Sequence, residues 1–171
     1  MIRINNISDM DFMEIHELSG RIKGIVQHPA HIYKIMADHF GDTFFVAKER
    51  DEKSEDRIMG FMMGFISHVI KGHLFVWQIA VSPAAQGKGV GSKLLAHTIE
   101  FARSSGECSS VMATVETDNY ASQSLFEKFD FNIKSGYFKD EYQELVSTNQ
   151  KEAVKNYYGS STDQIFYVLD I

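Results

Sequence analysis

The stretch "SPAAQGKGVGSKLL", residues 82 to 95, sets glycines at alternate positions 87, 89 and 91 between an apolar run and an amphipathic one. The run before it, "LFVWQIAV" (74 to 81), reads as a largely buried strand. The segment after it carries Leu94, Leu95, Ile99 and Ala102 at helical spacing. A strand that feeds a helix through bare backbone constrains the chain to an α/β arrangement and leaves the first helical amides uncovered. Those amides lack intrahelical partners and carry roughly half a positive charge, so the turn is a natural anion cradle. Glycines at 87, 89 and 91 let a pyrophosphate approach the amides of Gln86, Gly87, Lys88, Gly89, Val90, Gly91 and Ser92, while Lys88 and Lys93 add charge from the rim. Two familiar phosphate loops fail on spacing. Lys88 is followed by Gly89 and not by Ser or Thr, and Ser92 stands where the dinucleotide fingerprint needs its third glycine. An ordinary glycine-eased turn remains the competing account of the loop taken alone.

Around that loop, periodicity predicts the order βααβββαβαββ. "IRI" (2 to 4) is a short strand, and Ser8 is placed to cap a helix from about Asp9 that presents Phe12, Ile15 and Leu18. Pro29 suits the first helical position of a second helix, with Ile32, Ile35 and Met36 at helical spacing. Strands are predicted over 43 to 49 and 57 to 69, joined by the mixed-charge turn "RDEKSED", which suits a solvated hairpin. Beyond the glycine loop the helix runs to about Ser104, followed by a strand "SSVMATVE", a helix "NYASQSLFEKF", a strand "FNIKSGYF" and a final strand "DQIFYVLDI". The polar segment from 139 to 162 is partly helical in pattern and too long for a simple hairpin connection. It is either an element that covers the substrate or a surface excursion.

Bulk properties narrow the function. At 171 residues, one domain spanning 1 to 171 with one core is expected. Seventeen basic against 23 acidic side chains give −6, which argues against nucleic acid or an anionic membrane as partner. Cys108 is the only cysteine, so no internal disulfide forms. The opening residues lack the apolar stretch of a secretory signal and no eighteen apolar residues run together, so a cytoplasmic protein is expected. His28 and His31 have a spacing compatible with one helical face, but no cysteine cluster or second ligand pair accompanies them, and no metal is assigned.

The loop resembles the acetyl-coenzyme A signature Q/R-x-x-G-x-G/A of the GNAT superfamily of N-acetyltransferases, with Gln86, Gly89 and Gly91 on its key positions. About thirty residues later, "NYASQSLFEKFDF" is similar to that superfamily's second motif, N-x-A-S-x-x-L-Y-E-K-x-G-F. Asn119, Ala121, Ser122, Leu125, Glu127, Lys128 and Phe131 match, while Phe126 stands for the usual tyrosine and Asp130 for the usual glycine. The resemblance covers about residues 43 to 135. It implies an α/β (α+β) fold: a mixed, mostly antiparallel sheet of about seven strands, splayed between the fourth and fifth, with helices on both faces. It further implies acetyl-coenzyme A as acyl donor, with Ile79, Ala80 and Val81 along its pantetheine arm, the 86 to 92 amides on its pyrophosphate, and Asn119, Ser122 and Phe126 on the arm's far side. A two-fold homodimer is expected, as is common in similar enzymes.

Within the superfamily, "HFGDTFFVAKE", "LFVWQIAVSP" and "NYASQSLF" look most like the diaminobutyrate acetyltransferases. Those tend to show Leu-Asp-x-Asn-Ser-x-Tyr where this chain has "QHPAHIY": Tyr33 is kept, but His28 holds the aspartate position. The acceptor is therefore expected to be a small polar amine, a diamine or an amino acid, with Tyr33, Trp77, Gln78 and Glu116 as candidate contacts. Exposing the lone pair of a protonated amine at pH 7 costs about 4 to 5 kcal/mol unless a base or an apolar pocket helps, so a base is sought, with proton loss to a water chain as the alternative. The strand before the loop, where many relatives carry a glutamate, has none. Glu116 is the first candidate base; capping the following helix or binding the substrate ammonium are its competing roles. The amide of Ile79 is the candidate oxyanion donor. With Phe126 in the tyrosine position, Tyr120, Tyr137 or Tyr33 is left as proton donor to the departing thiolate. Two other functions remain open: a cofactor-binding module without turnover, and acetylation of protein amino groups.

Overall fold

Alternating apolar residues in the first half of the chain build an antiparallel meander, onto which the strand–loop–helix units of the second half are added. The computed structural model describes residues 2 to 50, 56 to 159 and 161 to 171. In chain order the elements are β1 (Ile2–Asn6), α1 (Asp11–Gly20), α2 (Ala30–Phe40), β2 (Phe44–Arg50), β3 (Asp56–Ile66), β4 (His73–Val81), α3 (Val90–Ser105), β5 (Ser110–Glu116), α4 (Tyr120–Lys128), β6 (Asn132–Ile133), α5 (Ser135–Phe138), β7 (Leu145–Thr148), β8 (Lys151–Val154) and β9 (Gln164–Asp170). Among the described residues nine strands form one sheet in the order β1-β2-β3-β4-β5-β9-β8-β7, with β6 beside β9. The β4–β5 pair is parallel and its other neighbouring pairs are antiparallel, so the mixed, mostly antiparallel α/β sheet read from the motifs is present.

Helices cover both faces. Leu94, Leu95, Ile99 and Ala102 of α3 and Phe126 of α4 pack with Leu74 and Val76 on one side. Ile15 and Leu18 of α1, with Tyr33 and Met36 of α2, pack on Phe61, Met63 and Ala80 on the other. Strand β4 takes part in both cores because its register slips: Met63 pairs with Gln78 but Gly64 with Val76, leaving Trp77 as a bulge. Side chains alternate with period 2, so the extra residue exchanges the faces downstream. Leu74 and Val76 point toward α3, whereas Gln78 and Ala80 point toward α1 and α2. Among the described residues no helix is long and apolar enough to cross a membrane.

Several sequence expectations are corrected. Among the described residues the sheet has nine strands against about seven expected, because the 139 to 162 segment contributes the β7–β8 hairpin, which joins β9 through the pair Val154 and Gln164. "FNIKSGYF" is a two-residue strand and a short helix, not one strand. Helix α1 starts at Asp11, and its capping contact runs opposite to the expected one, the Asp11 carboxylate accepting from the Ser8 amide at 2.9 Å. Pro29 precedes α2 instead of opening it, and Ile35 is exposed while Tyr33 and Met36 supply the buried face. The solvated hairpin expected from "RDEKSED" falls mostly on residues 51 to 55, outside the described residues.

Candidate functional site

The glycine loop follows a tight turn in which the amides of Ala85 and Gln86 both donate to Ser82 O, at 2.8 and 3.1 Å. Gly87 and Gly89 have φ of +74° and +76°, left-handed conformations in which a side chain is strained. Gly89 precedes α3 with no side-chain cap. The helical ladder begins with Lys93 N–H donating to Gly89 O at 3.0 Å, so the amides of Val90, Gly91 and Ser92 stand ahead of it. Gly91 has no such backbone demand; a Cβ there would sit 3.5 Å from Leu125 and Val81, an ordinary contact.

These amides line a cleft of about 830 Å³, with Gln86, Gly87 and Gly89 of the loop and Ile79 and Val81 of β4. Asn119, Ser122 and Leu125 form its opposite wall. Two ammonium groups, Lys23 and Lys128, also line it, and Lys128 Nζ donates to Ser92 Oγ at 3.2 Å. The cleft exists because β4 and β5 stay paired only from His73–Ser110 to Val76–Ala113 and then part. A second cleft of about 870 Å³ lies at the same divergence, walled by Trp77, Gln78, Phe75, Phe126 and Tyr158. Ile79, Glu116, Asn119 and Ser122 line both, so the two meet between the diverging strands.

Glu116 sits at this junction. Its Oε1 accepts from Thr162 Oγ1 at 3.3 Å, and that oxygen in turn accepts from Gln164 Nε2 at 3.2 Å. The expected capping role of Glu116 falls to another residue: Asn119 Oδ1 accepts from the Ser122 amide at 3.1 Å and caps α4. The backbone carbonyl of Glu116 is fixed by the Asn119 amide at 3.0 Å and by Gln123 Nε2 at 3.0 Å, which locks the end of β5 to α4.

Five predicted site residues do not reach the clefts. Tyr33 is buried beneath them; its hydroxyl donates to Ser19 Oγ at 2.9 Å, lies 3.3 Å from Gln78 Oε1, and accepts from the His28 amide at 3.3 Å. It therefore orients Gln78, whose Nε2 donates to Val26 O at 2.8 Å. Ala80 points into the α1–α2 core, and Lys88 is exposed outside both walls. Tyr120 is 61% exposed, outside both linings, with its hydroxyl accepting from Asn149 Nδ2 at 3.3 Å. Tyr137 is likewise exposed and outside both. Phe126 is buried, stacked on Tyr167 at 5.7 Å and edge-on to Phe131 at 5.1 Å.

Tyr158 and Gln164 line the site although sequence reasoning passed over them, and His28, read there only for its place in the motif and its spacing to His31, lines it too. Tyr158 comes from the 139 to 162 segment; its hydroxyl is 2.8 Å from Thr114 Oγ1, and burial pushes its pKa up, which keeps it protonated. The only available signal was the "NYYGSS" run of aromatics among polar residues. Gln164 had no signal at all. His28 lies with its ring 5.0 Å from that of Trp77, and burial pushes its pKa down, favouring the neutral imidazole. Lys151 of the hairpin pairs with Glu127 and donates to Gln123 Oε1 at 2.9 Å, tying the hairpin to α4. Hydrogen bonding from Lys151 holds the Glu127 carboxyl below the usual range, and Tyr167 donates to that carboxylate at 2.9 Å. Among the described residues no group of three or more His, Cys, Asp or Glu is arranged to hold a metal ion.

Residues 10–131 match the model of the acetyltransferase (GNAT) family. The chain is 41% identical over 99 residues to an L-2,4-diaminobutyric acid acetyltransferase of Halalkalibacterium halodurans, covering 56% of this chain and 48% of that protein. It is 30% identical over 121 residues to the protein of the same name from Vibrio cholerae, covering 70% and 66%. The chain thus spans about half the length of the first relative and just under two thirds of the second. Two solved structures share the fold. Diaminobutyrate acetyltransferase EctA from Paenibacillus lautus, in complex with L-2,4-diaminobutyric acid and coenzyme A, superposes with a TM-score of 0.72 at 20% identity, covering 99% of this chain and 95% of that one. Arabidopsis thaliana NAA60, in complex with acetyl-CoA, gives 0.77 at 14% identity and covers both chains completely.

Proposed function

This chain belongs to the acetyltransferase (GNAT) family, and from that premise we propose that it transfers an acetyl group from acetyl-CoA to a primary amine of a small molecule, a diamine or an amino acid, by direct attack. The observation that carries the proposal is the junction of two clefts between the parted strands, with uncovered amides on one side and Glu116 at the meeting point. The donor set fits acetyl-CoA: the amides of 90 to 92, with Lys23 and Lys128, suit a pyrophosphate, and the edge of β4 beyond Val76, unpaired with β5, suits an amide-bearing arm.

In this reading Ile79 and Val81 hold the arm along β4, and the Ile79 amide stabilises negative charge that develops on the acyl oxygen, at no reorganisation cost. Glu116 takes the proton of the attacking ammonium, oriented by the Thr162 hydroxyl. Tyr158 replaces Tyr120 as the candidate proton donor to the departing thiolate, because its protonated hydroxyl lines the cleft where Phe126 offers none. Unassisted departure of a thiol with a pKa near 8.5 is handicapped at pH 7 by only about 2 kcal/mol, so this role is an aid and not a requirement. The names of the relatives put L-2,4-diaminobutyrate on the first panel of acceptors.

The test is calorimetric titration with coenzyme A, followed by steady-state thiol release from acetyl-CoA across a panel of diamines and amino acids. Binding with acceptor-dependent release is expected; binding without release by any amine would leave a cofactor-holding module in place of an enzyme. For the base, Glu116→Gln is expected to depress turnover more at neutral than at alkaline pH, and an unchanged pH profile would remove Glu116 from that role.

A further inference from the structure

The charge inventory of the passage differs sharply between its two ends. The loop-side cleft holds two ammonium groups, Lys23 and Lys128, with the Asp118 carboxylate besides Glu116. The cleft behind the junction is lined mainly by apolar and aromatic side chains, Phe65, Phe75, Trp77 and Phe126 among them. Glu116 is the one carboxylate among its described lining residues, and none of them is a lysine or an arginine. His28, the remaining ionisable base there, is held toward its neutral form by burial. Of the side-chain amides that line the cleft, Gln78 Nε2 donates to Val26 O at 2.8 Å, Gln164 Nε2 donates to Thr162 Oγ1 at 3.2 Å, and Asn119 Oδ1 accepts from the Ser122 amide at 3.1 Å. The Tyr158 and Thr114 hydroxyls are paired with each other at 2.8 Å.

Resting on the transferase reading above, we infer that the acceptor carries no carboxylate, so that of the two acceptor classes the cleft takes a diamine and not an amino acid. A second ammonium gains from this surface. It meets Glu116 or the face of Trp77, which stands 39% exposed at the bulge, and an ammonium within about 6 Å of an indole face is attracted to it. A carboxylate in the same space finds no cation, loses its hydration against aromatic walls and faces Glu116. Unpaired and like charges in a desolvated site are strongly disfavoured, which sets the direction of selectivity. Of the cations that would offset it, Lys128 stands by Ser92 at the other end, and Lys23, next in the chain to Gly24 and Ile25 of both linings, lines the loop-side cleft and not this one.

The experiment compares two acceptors that differ by that single group, 1,3-diaminopropane and L-2,4-diaminobutyrate, with the full chain and saturating acetyl-CoA. The readout is the ratio of their kcat/KM values from thiol release. The diamine is expected to be favoured by about tenfold or more. Glu116→Gln is expected to shrink that ratio, since removing the charge that repels the carboxylate helps only the amino acid, while any shared loss of catalysis cancels. L-2,4-diaminobutyrate used as well as or better than the diamine overturns this inference alone, and so does turnover of other amines with none of the diamine. A ratio unmoved by Glu116→Gln removes the electrostatic basis argued for it. No thiol release with any amine, despite coenzyme A binding, overturns the transferase reading and this inference together.

Discussion

Replacing Gly89 by alanine separates what the loop does for folding from what it does for binding. A Cβ built at Gly89 meets nothing within 4 Å, so the change adds no clash, and its cost comes from the backbone, which holds φ at +76°. An L-residue in that conformation costs about 1 to 2 kcal/mol. For a chain of 171 residues this lowers Tm by roughly 2 to 8 °C. The variant relieves part of that strain by relaxing toward negative φ, which turns the Val90, Gly91 and Ser92 amides away from the cleft. Losing two hydrogen bonds to a charged phosphate, at about 1.5 kcal/mol each, weakens binding by about 3 kcal/mol, roughly a hundredfold in Kd. Gly106 provides the control. It ends α3 with φ of +70° and equally open space, but lines neither cleft. Thermal unfolding and titration with coenzyme A on Gly89→Ala and Gly106→Ala give the answer. Both should lose similar stability, and only Gly89→Ala should lose affinity. Wild-type affinity in Gly89→Ala, or an equal affinity loss in both variants, would refute the role given to the loop amides.

Two further outcomes follow from the network beneath and beside the clefts. Tyr33→Phe removes the hydroxyl that serves Ser19, Gln78 and the His28 amide, so chemical denaturation should show a loss of about 1 to 3 kcal/mol; a change below about 0.5 kcal/mol would show that these groups find other partners. Lys151→Met should make stability depend less on pH in the acid range. Lys151 lowers the folded pKa of Glu127, so the stabilisation is present above the usual glutamate range and is lost as pH falls through the depressed value. The gap in Tm between the variant and wild type should therefore be widest near neutral pH and close on acidification, and a constant gap would assign the effect of Lys151 to packing.

The parts of this molecule that were legible in the sequence are those where one residue type has one physical use. Gly87 and Gly89 announced a left-handed turn, the 74 to 81 run a buried strand, and Asn119 a boundary next to a helix. Glu116 was legible as a carboxylate at a strand end because the motifs fixed where the strands diverge. The failures arise where tertiary contacts choose among alternatives that local pattern leaves equal. Tyr33 has the same helical spacing whether it faces a ligand or the core, and only the packing of α1 and α2 decides. The 139 to 162 segment contains few apolar residues to mark strands; its hairpin depends on the edge of β9 and on Lys151 reaching Glu127 and Gln123. Tyr158 and Gln164 enter the site from that late part of the chain, far in sequence from either motif.

The extra residue in β4 has an implication for anyone trimming or grafting this scaffold. Deleting Trp77 would regularise the ladder with β3 and make Val76 and Gln78 neighbours, so the four residues from Gln78 to Val81 would keep the faces they now occupy. The Gln78 amide would keep its contacts with Tyr33 and Val26 and Ile79 would still border the passage, while the indole that walls the second cleft beside His28 would be lost. A one-codon loss at that position should thus spare the fold about as well as Trp77→Ala does, its cost falling on the second cleft.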